Sequence, residues 1–311
     1  MSIGARDVEQ LEVALSRSPK DLGIMQKLMA AIKTNKARRP DLVIKCGPAL
    51  LSKKSLGNTQ WDIREQVFVA ALDLHLFDMA KAQIDELEAR FPKSLRVNAL
   101  EGMMLEAQAG SQAISHPDRT LLIEEVMEIY DKILEEDPVN VTAHKRKVAV
   151  HRGKGTPEGL KEATVALNQY LDMYPTDADG WREMADMYLE QQHVEHARKA
   201  LEEVVMLTPV NYMAHLKLAD ALYTLEDYTT ARKYYAQSLE LNPERNPRAS
   251  IGLILTTTAT DAPKGKAGKG DSTNTALYRV ARDTLLTQYD SLPRGAPGAT
   301  IAPLVKSWLR A

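Results

Sequence analysis

Any chemistry this chain performs has few residues to work with. Of its seven histidines, only His193 and His196 stand one helical turn apart. Two imidazoles at that spacing can share a metal ion, but a structural zinc site is normally completed by cysteine, and Cys46 is the single thiol. The pair therefore reads as an exposed turn. The stretch GKAGKGDS, Gly265–Ser272, resembles a phosphate-binding loop only superficially. Its second lysine is followed by Gly270 rather than Ser or Thr, and no strand precedes it. No Gly-x-Ser-x-Gly or His-Glu-x-x-His occurs, and no carboxylate pair is placed for acid–base work. The sequence predicts no enzyme activity, no cofactor and no metal.

What remains is charge at helical spacing. Lys145, Arg146 and Lys147, followed by Arg152 and Lys154, make one segment basic. Asp179, Glu183, Asp186 and Glu190 make the next an acidic stripe. Such stripes are either a solvated surface with weak mutual pairing or a bipolar groove offered to a polypeptide. Three consecutive cations on one helix must turn at least one into a groove. Lys145, Arg146, Lys147 and Arg152, with Asp179, Glu183, Asp186 and Glu190, are therefore the candidate partner-binding residues.

The elements that must position them are helices in a repeat. One 34-residue pattern runs twice in register between 178 and 245. Its first pass holds Trp181, Met184, Ala185, Tyr188, Ala197, Leu201, Val204 and Pro209; its second holds His215, Leu218, Ala219, Leu222, Ala231, Tyr235, Ser238 and Pro243. This is tetratricopeptide spacing. The first four slots share one face of a first helix, and the next three share one face of a second. Alanines occupy the slots where the two helices approach most closely. The proline ends the second helix and turns the chain onward. A helix pair this small cannot bury its apolar stripe alone, so it stacks on its neighbours.

Earlier prolines, Pro92, Pro138 and Pro175, extend the array backwards at wider intervals. The extra residues fall in Gln108–Thr120 and in Gly153–Gly159, both between the two helices of a repeat, where a loop is expected to lengthen. The resulting expectation is an all-α tetratricopeptide-repeat solenoid, a right-handed superhelix of antiparallel helix pairs. Residues 1–60 form an N-terminal helical cap, with helices near Val8–Ser16, Asp21–Thr34 and Asp41–Lys53. Residues 61–260 hold about five repeats and a further helix at Asn246–Thr258, in which Ala249 and Gly252 fill close-approach slots. Residues 261–275 are a flexible linker, and 276–311 are C-terminal helices. The last of these carries an apolar stripe of Ile301, Leu304, Val305, Trp308 and Leu309 that must dock, either within the chain or on a partner.

The net charge of −2 leaves no footprint for nucleic acid or an anionic membrane. MSIGARDVEQ lacks the apolar core of a leader, and no apolar run is long enough to span a bilayer. The expected chain is soluble, with any membrane association supplied by a partner. A receptor for acidic chaperone tails is disfavoured, because its carboxylate clamp needs Lys, Asn and Arg at positions that here read Arg96 and Leu100, Thr142 and Arg146, Asp179 and Glu183, Met213 and Lys217.

Residues between the repeat slots are more specific. EQVFVAALD (Glu65–Asp73), RFPKSLRV (Arg90–Val97), GMMLEA (Gly102–Ala107), YDKILEEDPVNVTAHKRKVAV (Tyr130–Val150), LEEVVMLTPVN (Leu201–Asn211) and ARKYYAQSLELN (Ala231–Asn242) occur in that order. Together they resemble the family of second subunits of the ER membrane protein complex over roughly residues 61–260. The resemblance implies a non-catalytic scaffold at the cytoplasmic face of the endoplasmic reticulum membrane. It implies binding to a soluble sister subunit and to the cytosolic tails of membrane subunits, in support of inserting tail-anchored and multipass proteins. A general tetratricopeptide adaptor or co-chaperone for another polypeptide is the alternative.

Overall fold

The computed structural model describes residues 3–53, 56–112, 116–261, 272–291 and 300–309. Among them lie sixteen α-helices and no strand. Contacts divide the chain into two units, Met1–Ala166 and Leu167–Ala311.

The first unit opens with α1 (Ile3–Arg17), α2 (Leu22–Thr34) and α3 (Pro40–Leu51). Asp21 starts α2 by accepting the Gly23 and Ile24 N–H groups, which a helix start otherwise leaves unpaired. Met25, Leu28, Met29 and Ile32 recur at helical spacing and are all buried. They pack with Val43, Cys46 and Leu50 of α3 and with Ile63 and Val67 of α4 (Thr59–Asp73). Each such side chain contributes about 1.5–3 kcal/mol of burial. Burial also raises the Cys46 thiol above its ordinary pKa, so the thiolate is disfavoured.

The repeats continue with α5 (Phe77–Arg90), α6 (Leu95–Ser111), α7 (Pro117–Glu136) and α8 (Val141–Gly153). Phe68, Ala71, Ala80, Ile84, Leu87, Tyr130 and Ile133, which fall at the slots of this repeat pattern, are all buried. The longer insertion differs from expectation. It is taken up mostly as helix rather than loop, since α6 runs to Ser111 and α7 starts at Pro117, giving lengths of 17 and 20 residues. GMMLEAQA continues a helix at little cost, and Pro117 at the first helical position has no N–H to leave unpaired. Residues 113–115, part of that insertion, lie outside the described residues. The shorter insertion sits between α8 and α9 (Pro157–Met173), a 17-residue helix that contains the boundary between the units.

In the second unit, α10 (Ala178–Glu190), α11 (Val194–Leu207), α12 (Tyr212–Thr224) and α13 (Tyr228–Leu241) are two regular repeats. Ala185, Ala197, Ala219 and Ala231 are completely buried, as close approach requires. Asp177 and Asn211 cap the first helices, each two residues after a proline. The proline carbonyls take side-chain donors. Trp181 Nε1 donates to the Pro175 oxygen at 2.9 Å, and His215 Nε2 donates to the Pro209 oxygen at 2.8 Å. His144 does the same for Pro138 at 2.9 Å in the first unit. The large residue in the opening slot is thus both a packing group and a donor to the turn.

The further helix is α14 (Pro247–Asp261), and α15 (Ser272–Asp290) packs on it as a second helix. Ala249 is buried, and Gly252 lies so close to the Tyr235 ring that a Cβ would collide with it. Because position 249 carries no donor, Gln288 of α15 reaches the Pro243 carbonyl instead, at 2.6 Å. Residues 262–271 of the expected linker lie outside the described residues, and 272–275 form the first turn of α15. The last helix, α16 (Ala302–Trp308), packs on α15. Its stripe divides: Val305 and Leu309 are half-buried, whereas Ile301, Leu304 and Trp308 are exposed.

Candidate interaction surface

Four ion pairs that join neighbouring repeats share one arrangement. A carboxylate on the first helix of one repeat meets a cation on the first helix of the next. In the first unit Glu65 of α4 takes Arg96 of α6 at 2.7 Å, and Glu106 of α6 takes Arg146 of α8 at 3.0 Å. In the second unit Asp186 of α10 takes Lys217 of α12 at 2.7 Å, and Asp220 of α12 takes Arg248 of α14 at 2.8 Å.

Two of these pairs carry a third member from the intervening helix. The Tyr130 hydroxyl of α7 donates to Glu106 at 2.5 Å, and the Tyr235 hydroxyl of α13 donates to Asp220 at 2.7 Å. In each case the hydroxyl uses one carboxylate oxygen and the arginine the other. Burial, and then the adjacent carboxylate, push both phenols well above the ordinary tyrosine range, so they remain donors.

The eight candidate residues fall in separate units, the basic four on α8 and the acidic four on α10. Arg146 is held by Glu106, and Lys147 pairs with Asp131 of α7. Asp179 pairs with Arg182 one turn away at 2.6 Å, and Asp186 pairs with Lys217. Lys145, Asp179 and Glu190 are exposed; Arg146, Lys147, Arg152, Glu183 and Asp186 are half-buried. Sequence reasoning missed the partners Glu106, Asp131 and Lys217. The 31-residue separation of Asp186 and Lys217 is one repeat less a turn, a signal that could have found Lys217; Glu106 and Asp131 lie 40 and 16 residues from their cations and carry no such interval. His193 and His196 are exposed at the start of α11 with ring centroids 5.9 Å apart, beside Tyr188. Among the described residues, no three His, Cys, Asp or Glu side chains gather as a metal site would need. No helix among them is long and apolar enough to cross a membrane.

Residues 122–241 match the family described as the EMC2 TPR-like repeat domain. The chain is also 33% identical over 237 residues to the ER membrane protein complex subunit 2 of Xenopus tropicalis, covering 74% of each chain. The chain belongs to that family. Membership extends beyond vertebrate relatives: the ER membrane protein complex subunit 2 of Dictyostelium discoideum is 30% identical over 226 residues, covering 70% of this chain and 66% of that one. At the level of fold alone, the C-terminal part of a TPR repeat-containing protein from Cytophaga hutchinsonii superposes with a TM-score of 0.55 at 15% identity, covering 89% of this chain and 99% of that one. Subunit 2 family membership and this neighbour together establish a tetratricopeptide-repeat α-solenoid.

Proposed function

We propose that the chain is a non-catalytic scaffold subunit of an ER membrane protein complex, held at the cytoplasmic face of the endoplasmic reticulum through its partners. In this reading it binds a soluble sister subunit and the cytosolic tails of membrane-embedded ones. It thereby supports insertion of tail-anchored and multipass proteins. The observation that carries the reading is the identity to subunit 2 relatives across three quarters of the chain. The repeat architecture agrees with it, because stacked helix pairs offer long surfaces for polypeptides. The helices of residues 1–60 act as the end cap of the array.

Affinity purification of the full chain in mild detergent tests the reading. Integral membrane proteins in fixed ratio are expected, and recovery of cytosolic proteins alone would overturn it.

Partner contact is placed on the basic residues of α8 and the acidic residues of α10. Arg146, Lys147, Asp179 and Asp186 also serve internal pairs, so their reversal would disturb folding as well as binding. Lys145→Glu with Arg152→Glu, and separately Glu183→Lys with Glu190→Lys, test the two groups one at a time. Each pair is expected to keep the helical circular-dichroism spectrum and lose partners on pull-down. Full retention of partners at physiological salt refutes the assignment.

A further inference from the structure

A groove of about 760 Å³ opens in the first unit, walled by residues from α2, the α2–α3 turn, α4, α6 and α8. Its floor is apolar and includes Val69, itself 37% exposed, with Met103 and Ala107. Four carboxylates line it, and each is already matched by a cation of the same lining. Lys33 holds Asp62 at 2.8 Å, Arg38 holds Asp73 at 2.7 Å, Arg96 holds Glu65 at 2.7 Å and Arg146 holds Glu106 at 3.0 Å.

Positive charge is left over. Lys36 is exposed on a left-handed residue (φ 49°) just after α2, and among the described residues its ammonium pairs with no carboxylate. The Arg38 side chain is 81% exposed and that of Arg96 is 68% exposed. Both spend only Nε and Nη2 on their carboxylates, which leaves Nη1 of each out of these pairs. The groove therefore presents spare N–H donors around an apolar strip, with every acid in its walls neutralised.

That arrangement discriminates between ligands. A polyphosphate would gain the three cations but would lie beside four carboxylates and an apolar floor. A basic peptide would find no unmatched acid. A segment that alternates carboxylates with apolar side chains satisfies both features, and recognition of a carboxylate by an arginine edge is geometrically specific. We propose that this groove receives an extended acidic segment of a partner polypeptide. Its carboxylates meet Lys36 and the open edges of Arg38 and Arg96, and an intervening apolar side chain rests on Val69 and Met103. The segment is thus read chiefly by the turn before α3, and Arg96 is the one chaperone-clamp position that takes part. The inference rests on the reading of the chain as a scaffold that holds polypeptides.

Fluorescence anisotropy with the full chain provides the test. The probes are a labelled peptide alternating aspartate with leucine, a lysine–leucine peptide of equal length, and a short single-stranded DNA. The acidic peptide is expected to bind best. Its affinity should fall by about tenfold in Lys36→Glu and again in Val69→Asp. Both positions reach solvent, so the helical spectrum should not change. The proposal is overturned if the acidic peptide does not bind, if both variants bind it as tightly as the parent, or if either control binds equally well. Loss of the peptide result with membrane proteins still co-purifying removes the occupant and leaves the scaffold reading standing. Absence of membrane proteins with peptide binding intact does the reverse.

Discussion

The two units build the same three-helix clasp from different lengths of chain. In the first unit Tyr130 lies 24 residues after its carboxylate, Glu106; in the second Tyr235 lies 15 after Asp220. The insertion that lengthens α6 and α7 widens the spacing, and a carboxylate one turn further along its own helix (Glu106 four residues past Gly102, Asp220 one past Ala219) narrows it again. Clearance for the tyrosine ring also comes from opposite sides. Gly102, on the helix before Tyr130, would place a Cβ 2.8 Å from that ring, whereas Gly252 lies on the helix after Tyr235. The hydrogen-bonded contact is therefore what holds register, and the spacing between its members is free to vary. The clasps differ in one further respect. The Arg146 side chain is 34% exposed and that of Arg248 is 71% exposed, so only the first arginine is partly withdrawn from water.

The largest expected effect tests whether the units are separate bodies in energetic terms. Phe68→Ala empties a fully buried site in the first unit and should cost about 3–5 kcal/mol; Leu201→Ala does so in the second and should cost about 2–5 kcal/mol. Hydrogen exchange should quicken chiefly in the helices of the mutated unit. Deprotection spread evenly over both would end the comparison.

Next come the two glycines. Gly102→Leu and Gly252→Leu should each cost about 1–3 kcal/mol by overpacking, read from urea denaturation. A second substitution of the facing tyrosine by alanine should recover part of that loss in the same unit and none in the other. If Gly102→Leu is neutral, the close approach of α6 to α7 is wrong.

The arginines sharpen the contrast. Arg146→Met strands a half-buried carboxylate and should cost about 1–3 kcal/mol, whereas Arg248→Met removes a solvent-exposed partner and should cost about 0–1 kcal/mol. Equal losses would mean that exposure does not distinguish the clasps. The smallest effect is a gain. Gln192 and Glu226 hold left-handed backbone (φ 60° and 63°) at the turns within the second unit's repeats. Glycine at either position should add up to about 1 kcal/mol, seen as a higher melting temperature.

Much of this organisation was legible in the residues. Ala185, Ala197, Ala219 and Ala231 announced close approach by their size and interval, and all four are buried. The first and second helices of each repeat followed from periodicity, and the prolines marked the turns. Legibility failed at Gln108–Thr120, where turn-forming residues in part of the stretch hid the fact that its flanks extend α6 and α7. It was incomplete for the charged stripes. Arg146 and Asp186 read as candidate partner-binding residues of a groove, and the internal counterparts they also hold, Glu106 and Lys217, lie 40 and 31 residues away along the chain.

Side-chain size and helical period are local properties, so the sequence alone determined where helices run, which faces they bury and where they turn. Whether a given cation is used inside the fold or left facing water depends on which carboxylate the stacking brings within 3 Å. Only the tertiary structure decided that, because contacts between successive repeats follow from how whole helices pack and leave no mark within either helix.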